Sequence, residues 1–264
     1  MMRSNPLVTE VLVGLTRRGK AQLDALGLVL LQAAAVFVWW PKDTLAQVLE
    51  SQHGPHTLTA VIMALGVTTA YFALRAGAEQ IMLPGQHGLR DWTLATPLGL
   101  GRILRGYVLG QFVHSLHLLV LSSPLLLMAF TVSGGEWDAF GWCMAATLVQ
   151  ALFYRLCGAI THLAMGQHGT ESLYTIRTLL TVVYIPVGWF APVTSHLAFT
   201  WRALGESMTT QPAIVETPDL VGFLAIYAGL SVLAALAVHR MLLRERRRTA
   251  GRHDGAGIGE AVAP

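Results

Sequence analysis

Apolar residues in this chain fall in long blocks separated by short polar joints. A helix needs roughly 20 predominantly apolar residues to cross the hydrocarbon core of a bilayer. Six blocks approach or exceed that length, at about 25–40, 57–82, 105–131, 139–165, 177–199 and 219–242. The first is short, and the fifth is interrupted by Pro186 and Pro192. The pattern predicts an all-α, polytopic membrane protein with six transmembrane helices. Ahead of the first block, residues 6–23 (PLVTEVLVGLTRRGKAQL) carry Leu7, Val11 and Leu15 on one face and basic residues toward the end. That distribution predicts an amphipathic helix lying along the membrane surface. Within the polar stretch from Pro192 to Pro218, TSHLAFTWRALGESM predicts a further amphipathic helix. The Gly- and Ala-rich residues 249–264 predict a disordered tail, leaving 1–248 as one transmembrane domain.

Composition agrees with solvation by lipid. The 264 residues are 53% hydrophobic and 12% charged, about half the charged content of a typical soluble domain. Mean hydropathy is +0.53. Lys and Arg prefer the cytoplasmic side of membrane proteins. With both termini in the cytoplasm, Arg3, Arg17, Arg18, Lys20, Arg90, Arg102, Arg105, Arg177 and the run from Arg240 to Arg248 all lie inside. Only Lys42 and Arg202 then fall outside. Trp39, Trp40, Trp137, Trp142, Trp189 and Trp201 gather near the opposite boundary, where indole rings favour the interface. The two signals give one expectation: a multi-pass protein of the cytoplasmic (inner) membrane of a bacterium, with both ends inside. The net charge of +3 follows from this topology and does not imply nucleic-acid binding.

Motif chemistry is sparse. GLTRRGKA (Gly14 to Ala21) nearly matches the phosphate-binding loop, but Ala21 stands where a Ser or Thr would hold magnesium. No room exists for the preceding strand and surrounding α/β domain that such a loop requires. This chain is therefore expected to bind no ATP itself. HExxH, GxSxG and paired carboxylates facing a cavity are missing, so no catalytic role is expected. His114 and His117, and His53 and His56 in HGPH, lack accompanying Cys or acid ligands, so no metal site is expected. Cys143 and Cys157 are fourteen residues apart on one expected helix. At about 1.5 Å per residue their separation of roughly 21 Å forbids a disulfide.

Polar groups inside a bilayer must find partners or line a cavity. Gln111, Ser115 and Ser122 share an arc of the third span, with His114 beside them. Thr147, Gln150, Tyr154 and Thr161 form a stripe on the fourth, and Thr178 and Thr181 begin one on the fifth. Two readings follow: a partly polar translocation path, or ordinary helix–helix hydrogen bonds averaging about 0.6 kcal/mol. Arg75 and Glu79, four apart near the cytoplasmic end of the second span, fit a local ion pair or a gate. Arg155, well inside the fourth span, has to snorkel, pair or line a wet cavity.

The segment GLRDWTLATPLGLGRILRG (Gly88 to Gly106) joins the second and third spans. Gly88 to Leu94 predicts a short helix on the cytoplasmic surface, ended by Pro97, with Leu89 and Trp92 toward lipid and Arg90 and Asp91 toward water or a partner. Gly88, Asp91, Leu94, Thr96, Pro97 and Leu98, with Gly106 and Pro124 further on, fall at the spacing of a motif in the membrane subunits of type-2 ABC exporters. In order of parts and in this motif, the chain resembles that permease family. Gln86 and His87 stand where the family carries an acid, and Leu89 and Arg90 replace its Thr-Leu pair. The resemblance implies a short coupling helix, with Gly88, Arg90, Asp91, Trp92, Thr96 and Pro97 meeting a separate ABC ATPase subunit that carries ATP and magnesium. It also implies a second permease subunit, identical or related, that completes the path. A different expectation, resting on the departures, is a non-transporting membrane subunit that organises a larger complex.

Overall fold

The computed structural model describes residues 7–9, 13, 19–40, 56–79, 93–94, 96–133, 136–165, 194–205 and 217–256, and among them every regular element is a helix. In chain order these are α1 (Gly19–Trp39), α2 (His56–Glu79), α3 (Leu100–Ser133), α4 (Trp137–Met165), α5 (His196–Gly205) and α6 (Thr217–Ala256). All except α5 are long and apolar enough to cross a membrane. The expected span at 177–199 lies outside the described residues except for its end. There Thr194 and Ser195 lead into α5, which coincides with the expected amphipathic segment.

Two boundaries and the placement of Leu7 differ from the sequence expectation. Residues 19–23, assigned to a surface helix, run without interruption into the first span, because nothing between Gly19 and Trp39 breaks the helix. Leu7 is buried with Leu100, Ile103, Tyr107, Leu156, Val238 and Leu242 rather than turned to lipid. The expected disordered tail is helical as far as Ala256. Leu, Arg and Glu between Leu242 and Arg248 are good helix formers and carry α6 out of the bilayer, and it runs on to Ala256 despite Gly251 and Gly255.

Contacts at the helix ends fix the topology. Trp39 packs on His56 at 5.9 Å between ring centroids, and His56 stacks on Trp201 at 6.0 Å. The Thr57 hydroxyl donates to the Trp39 carbonyl at 2.6 Å. The Leu58 N–H donates to Ser133 Oγ at 3.2 Å, and Phe130 meets Trp137 at 4.3 Å. Thus the end of α1, start of α2, end of α3 and start of α4 share one aromatic end with α5. At the other end, Arg75 Nη1 donates to Asp24 Oδ1 at 2.7 Å, joining α2 to α1. Arg102, Arg105 and the exposed Arg244, Arg246, Arg247 and Arg248 stand beyond or beside it. Adjacent spans therefore run up and down between an aromatic end and a basic end.

The outer surface shows what solvates it. Phe37 is 85% exposed, Val38 70%, Leu23 68% and Leu233 64%. A soluble monomer does not spread apolar side chains along whole helices in this way, whereas lipid accepts them at no cost. α2 is the central element, packing against α1, α3, α4 and α5. Its face toward α4 is made of small residues, with Ala70 and Ala73 against Ala151 and Gly77 against the Arg155 backbone. Small residues let helices approach closely where the hydrophobic effect supplies no attraction.

α3 carries Pro124 in its interior. Proline has no N–H for the carbonyl four residues back, which is that of Val120. The neighbouring Ser123 hydroxyl donates to that carbonyl at 2.7 Å, so the acceptor that Pro124 frees is not left orphaned.

Candidate functional site

The polar residues of α3 and α4 divide into three separate contacts. The first surrounds Arg155, which is 1% exposed. Its Nη1 donates to Gln111 Oε1 at 2.8 Å, and Gln111 Nε2 donates to Ser115 Oγ at 2.9 Å. The guanidinium carbon lies 4.5 Å from the centre of the Tyr107 ring. The Tyr107 hydroxyl donates, at 3.4 Å, to the backbone carbonyl of Arg155. Helical spacing explains the arrangement. Tyr107, Gln111 and Ser115 recur every four residues on the face of α3 that meets α4. His114, half-buried, lies on the adjoining face of α3.

Depth matters for this group. Arg155 follows Trp137 by eighteen residues, so at about 1.5 Å per residue it lies roughly 27 Å from the aromatic end. The hydrocarbon core is about 30 Å thick. Arg155 therefore sits near the basic boundary rather than in the middle of the bilayer, because α4 is longer than the membrane. It does not snorkel outward; it points between α3 and α4.

Its interactions fall short of what a buried cation requires. A hydrogen bond to a charged group contributes about 1.5–3 kcal/mol. A cation–π contact adds about 0.5–2 kcal/mol. Removing a guanidinium from water costs at least several kcal/mol. Nε and Nη2 meanwhile have no hydrogen-bond partner among the described residues.

The second contact centres on His196 of α5, which is fully buried between α2 and α4. Thr147 Oγ1 lies 2.9 Å from His196 Nε2 and also donates to the Cys143 carbonyl at 2.8 Å. A hydroxyl has one hydrogen. Since Thr147 gives it to Cys143, Nε2–H donates to Thr147, while Nδ1 lies 3.5 Å from the Thr200 hydroxyl. Gly66 of α2 makes room for it: a Cβ there would stand 2.2 Å from His196 Cε1. This contact fastens α5 to the bundle.

The third contact involves Gln150 and Tyr154, which adjoin the Tyr227 hydroxyl. Tyr227 donates to the Thr194 carbonyl at 2.8 Å, tying α6 to the entry of α5.

The sequence-predicted residues are therefore only partly united. Gln111, Ser115 and Arg155 meet directly, with His114 alongside, whereas Thr147 belongs with His196, and Gln150 and Tyr154 belong with Tyr227. Thr178 and Thr181 lie outside the described residues. Arg75 reaches Asp24 across two helices; the side chain of Glu79 is outside the described set. Among the expected coupling residues, Gly88, Arg90, Asp91 and Trp92 lie outside it too. Thr96 is half-buried and Pro97 exposed in the non-helical stretch that precedes α3. Tyr107, His196 and Asp24 were not singled out by sequence reasoning. Tyr107 could have been found by extending the four-residue spacing of Gln111 and Ser115 back one turn.

Both cysteines are free. Among the described residues no group of His, Cys, Asp and Glu could hold a metal ion. No known protein family, characterised protein or solved structure matches this chain.

Proposed function

We propose that this chain is the membrane-spanning subunit of an ATP-driven exporter, paired with a second permease subunit and coupled to separate ABC ATPase subunits that bind ATP and magnesium. The reading begins from the motif between Gly88 and Pro97. One observation carries it further. The connection from α2 to α3, which contains that motif, departs from the end of the bundle where Arg75, Arg102, Arg105 and the last turns of α6 stand. Under the preference of basic residues for the cytoplasm, that end faces the compartment holding ATP. Motion delivered to Asp91 and Trp92 by a closing ATPase pair would reach α2 and α3 at their termini. Arg75 and Arg155 lie close to the same level.

The orientation has both termini in the cytoplasm, in a bacterial inner membrane. In this reading substrate passes between the two permease subunits or is taken laterally from lipid. The test is ATP hydrolysis by the complex purified from its native membrane and reconstituted in lipid. Asp91→Arg and Trp92→Ala should abolish coupling-dependent hydrolysis while leaving the chain folded. Unchanged hydrolysis in both variants would sink the proposal.

A second reading is favoured by a specific observation. Gln111, Ser115, Thr147, Gln150 and Arg155 are each no more than 2% exposed, enclosed within one chain rather than turned toward a partner. A membrane subunit that organises a larger complex without transport needs such internal fastening and no path.

A further inference from the structure

The guanidinium of Arg155 has one edge in use and one without a partner. Nη1 is held by Gln111 Oε1 at 2.8 Å. Nε and Nη2 lie side by side on the remaining edge, and neither has a hydrogen-bond partner among the described residues, although the side chain is 1% exposed. Two parallel N–H groups on one guanidinium edge match two oxygens of a single oxyanion, a geometry a lone carbonyl cannot satisfy. A counter-charge is also due: Arg155 has no carboxylate partner among the described residues, and Asp24 is engaged by Arg75.

The surroundings hold the group in place. Gln111 is itself fixed by Ser115, the Tyr107 ring lies under the guanidinium, and Gly77 brings α2 against the Arg155 backbone. By helical rise the site lies roughly 27 Å from Trp137, close to the basic edge of a hydrocarbon core about 30 Å thick. Arg102 and Arg105 stand exposed on the same end of α3 and draw anions toward it.

We infer that the Nε–Nη2 edge of Arg155, between α3 and α4, is a binding site for a phosphate group. Carriage of that phosphate on a lipid headgroup or as a free anion is the same chemistry at the guanidinium. The site requires no ATPase, and its test is independent of motor coupling.

The full chain, purified in mild detergent, is titrated separately with phosphatidylglycerol in mixed micelles and with inorganic phosphate. Ligand-dependent thermal shift and retention of bound lipid in native mass spectrometry are read together. The expected result is saturable stabilisation of the unaltered chain by one of these probes. Arg155→Lys keeps the charge but loses the paired N–H edge, and should weaken binding by about tenfold or more. Gln111→Glu keeps the contact to Nη1 while neutralising the guanidinium from within. It should weaken binding comparably without unfolding the chain, and it decides the matter if Arg155→Lys does not fold. Arg247→Gln, exposed on α6, should leave binding unchanged.

Stabilisation by phosphatidylglycerol alone assigns the site to a lipid headgroup; stabilisation by inorganic phosphate as well assigns it to the free anion. No saturable effect of either probe overturns the inference. So does an equal effect in the unaltered chain and Gln111→Glu, which would trace binding to the general basic surface.

Discussion

Gly77 offers a sharp test of how α2 and α4 are held together. A Cβ at this position would stand 2.2 Å from the Arg155 carbonyl oxygen, 3.1 Å from its carbon and 3.2 Å from the Ala159 nitrogen. Ordinary contact begins at 3.4 Å, and all three neighbours are backbone atoms that cannot rotate away. Gly77→Ala therefore requires the helices to part by about 1 Å, and overpacking of that kind costs about 1–3 kcal/mol. Alanine is also a better helix former than glycine by about 1 kcal/mol, which works in the opposite direction. Gly27→Ala supplies the matched control, since a Cβ on Gly27 meets nothing within 4 Å. The propensity gain is common to both substitutions, so their difference isolates the packing cost. Reversible unfolding in mixed micelles, titrated with dodecyl sulfate, should place Gly77→Ala about 1–3 kcal/mol below Gly27→Ala. Equal stability of the two variants, within about 0.5 kcal/mol, would refute the close approach of α2 and α4.

Further outcomes are expected from the same unfolding assay. Gln111→Leu removes the acceptor of a charged donor and should cost about 1.5–3 kcal/mol; adding Arg155→Met should recover part of that loss, since no buried charge is then left uncompensated. Thr147→Val should cost about 1–3 kcal/mol by leaving His196 Nε2–H without its acceptor. Thr200→Val, whose contact at 3.5 Å is at the limit of a hydrogen bond, should cost less than about 1 kcal/mol. Asp24→Asn should cost no more than about 1 kcal/mol, because the ion pair with Arg75 is partly open to its surroundings.

Much of the helical frame is legible in the sequence because lipid imposes a simple rule: each span satisfies its backbone internally and shows apolar side chains outward. The blocks beginning near 57 and 139 match α2 and α4 closely for that reason. Helix ends are less legible. α3 starts at Leu100 and α6 continues to Ala256, since a helix does not stop where the bilayer does. The site divides along similar lines. Gln111 and Ser115 could be read from their spacing on one helix. Their pairing with Arg155 depends on the packing of α3 against α4, which periodicity does not encode. Arg75 shows the same limit: its sequence neighbour at four residues is Glu79, whereas Asp24 comes into reach only when α1 lies beside α2. His196 lies in a segment that reads as an amphipathic helix, and only the gap left by Gly66 shows why an imidazole belongs there.

Gentle solubilisation of the chain from its native membrane, with mass spectrometry of everything that remains bound, most directly tests coupling to a motor. A stoichiometric ABC ATPase subunit, in a complex containing two permease chains, is the expected result. A stable assembly with other membrane subunits and no ATPase would contradict the exporter reading and leave the organising-subunit reading in its place.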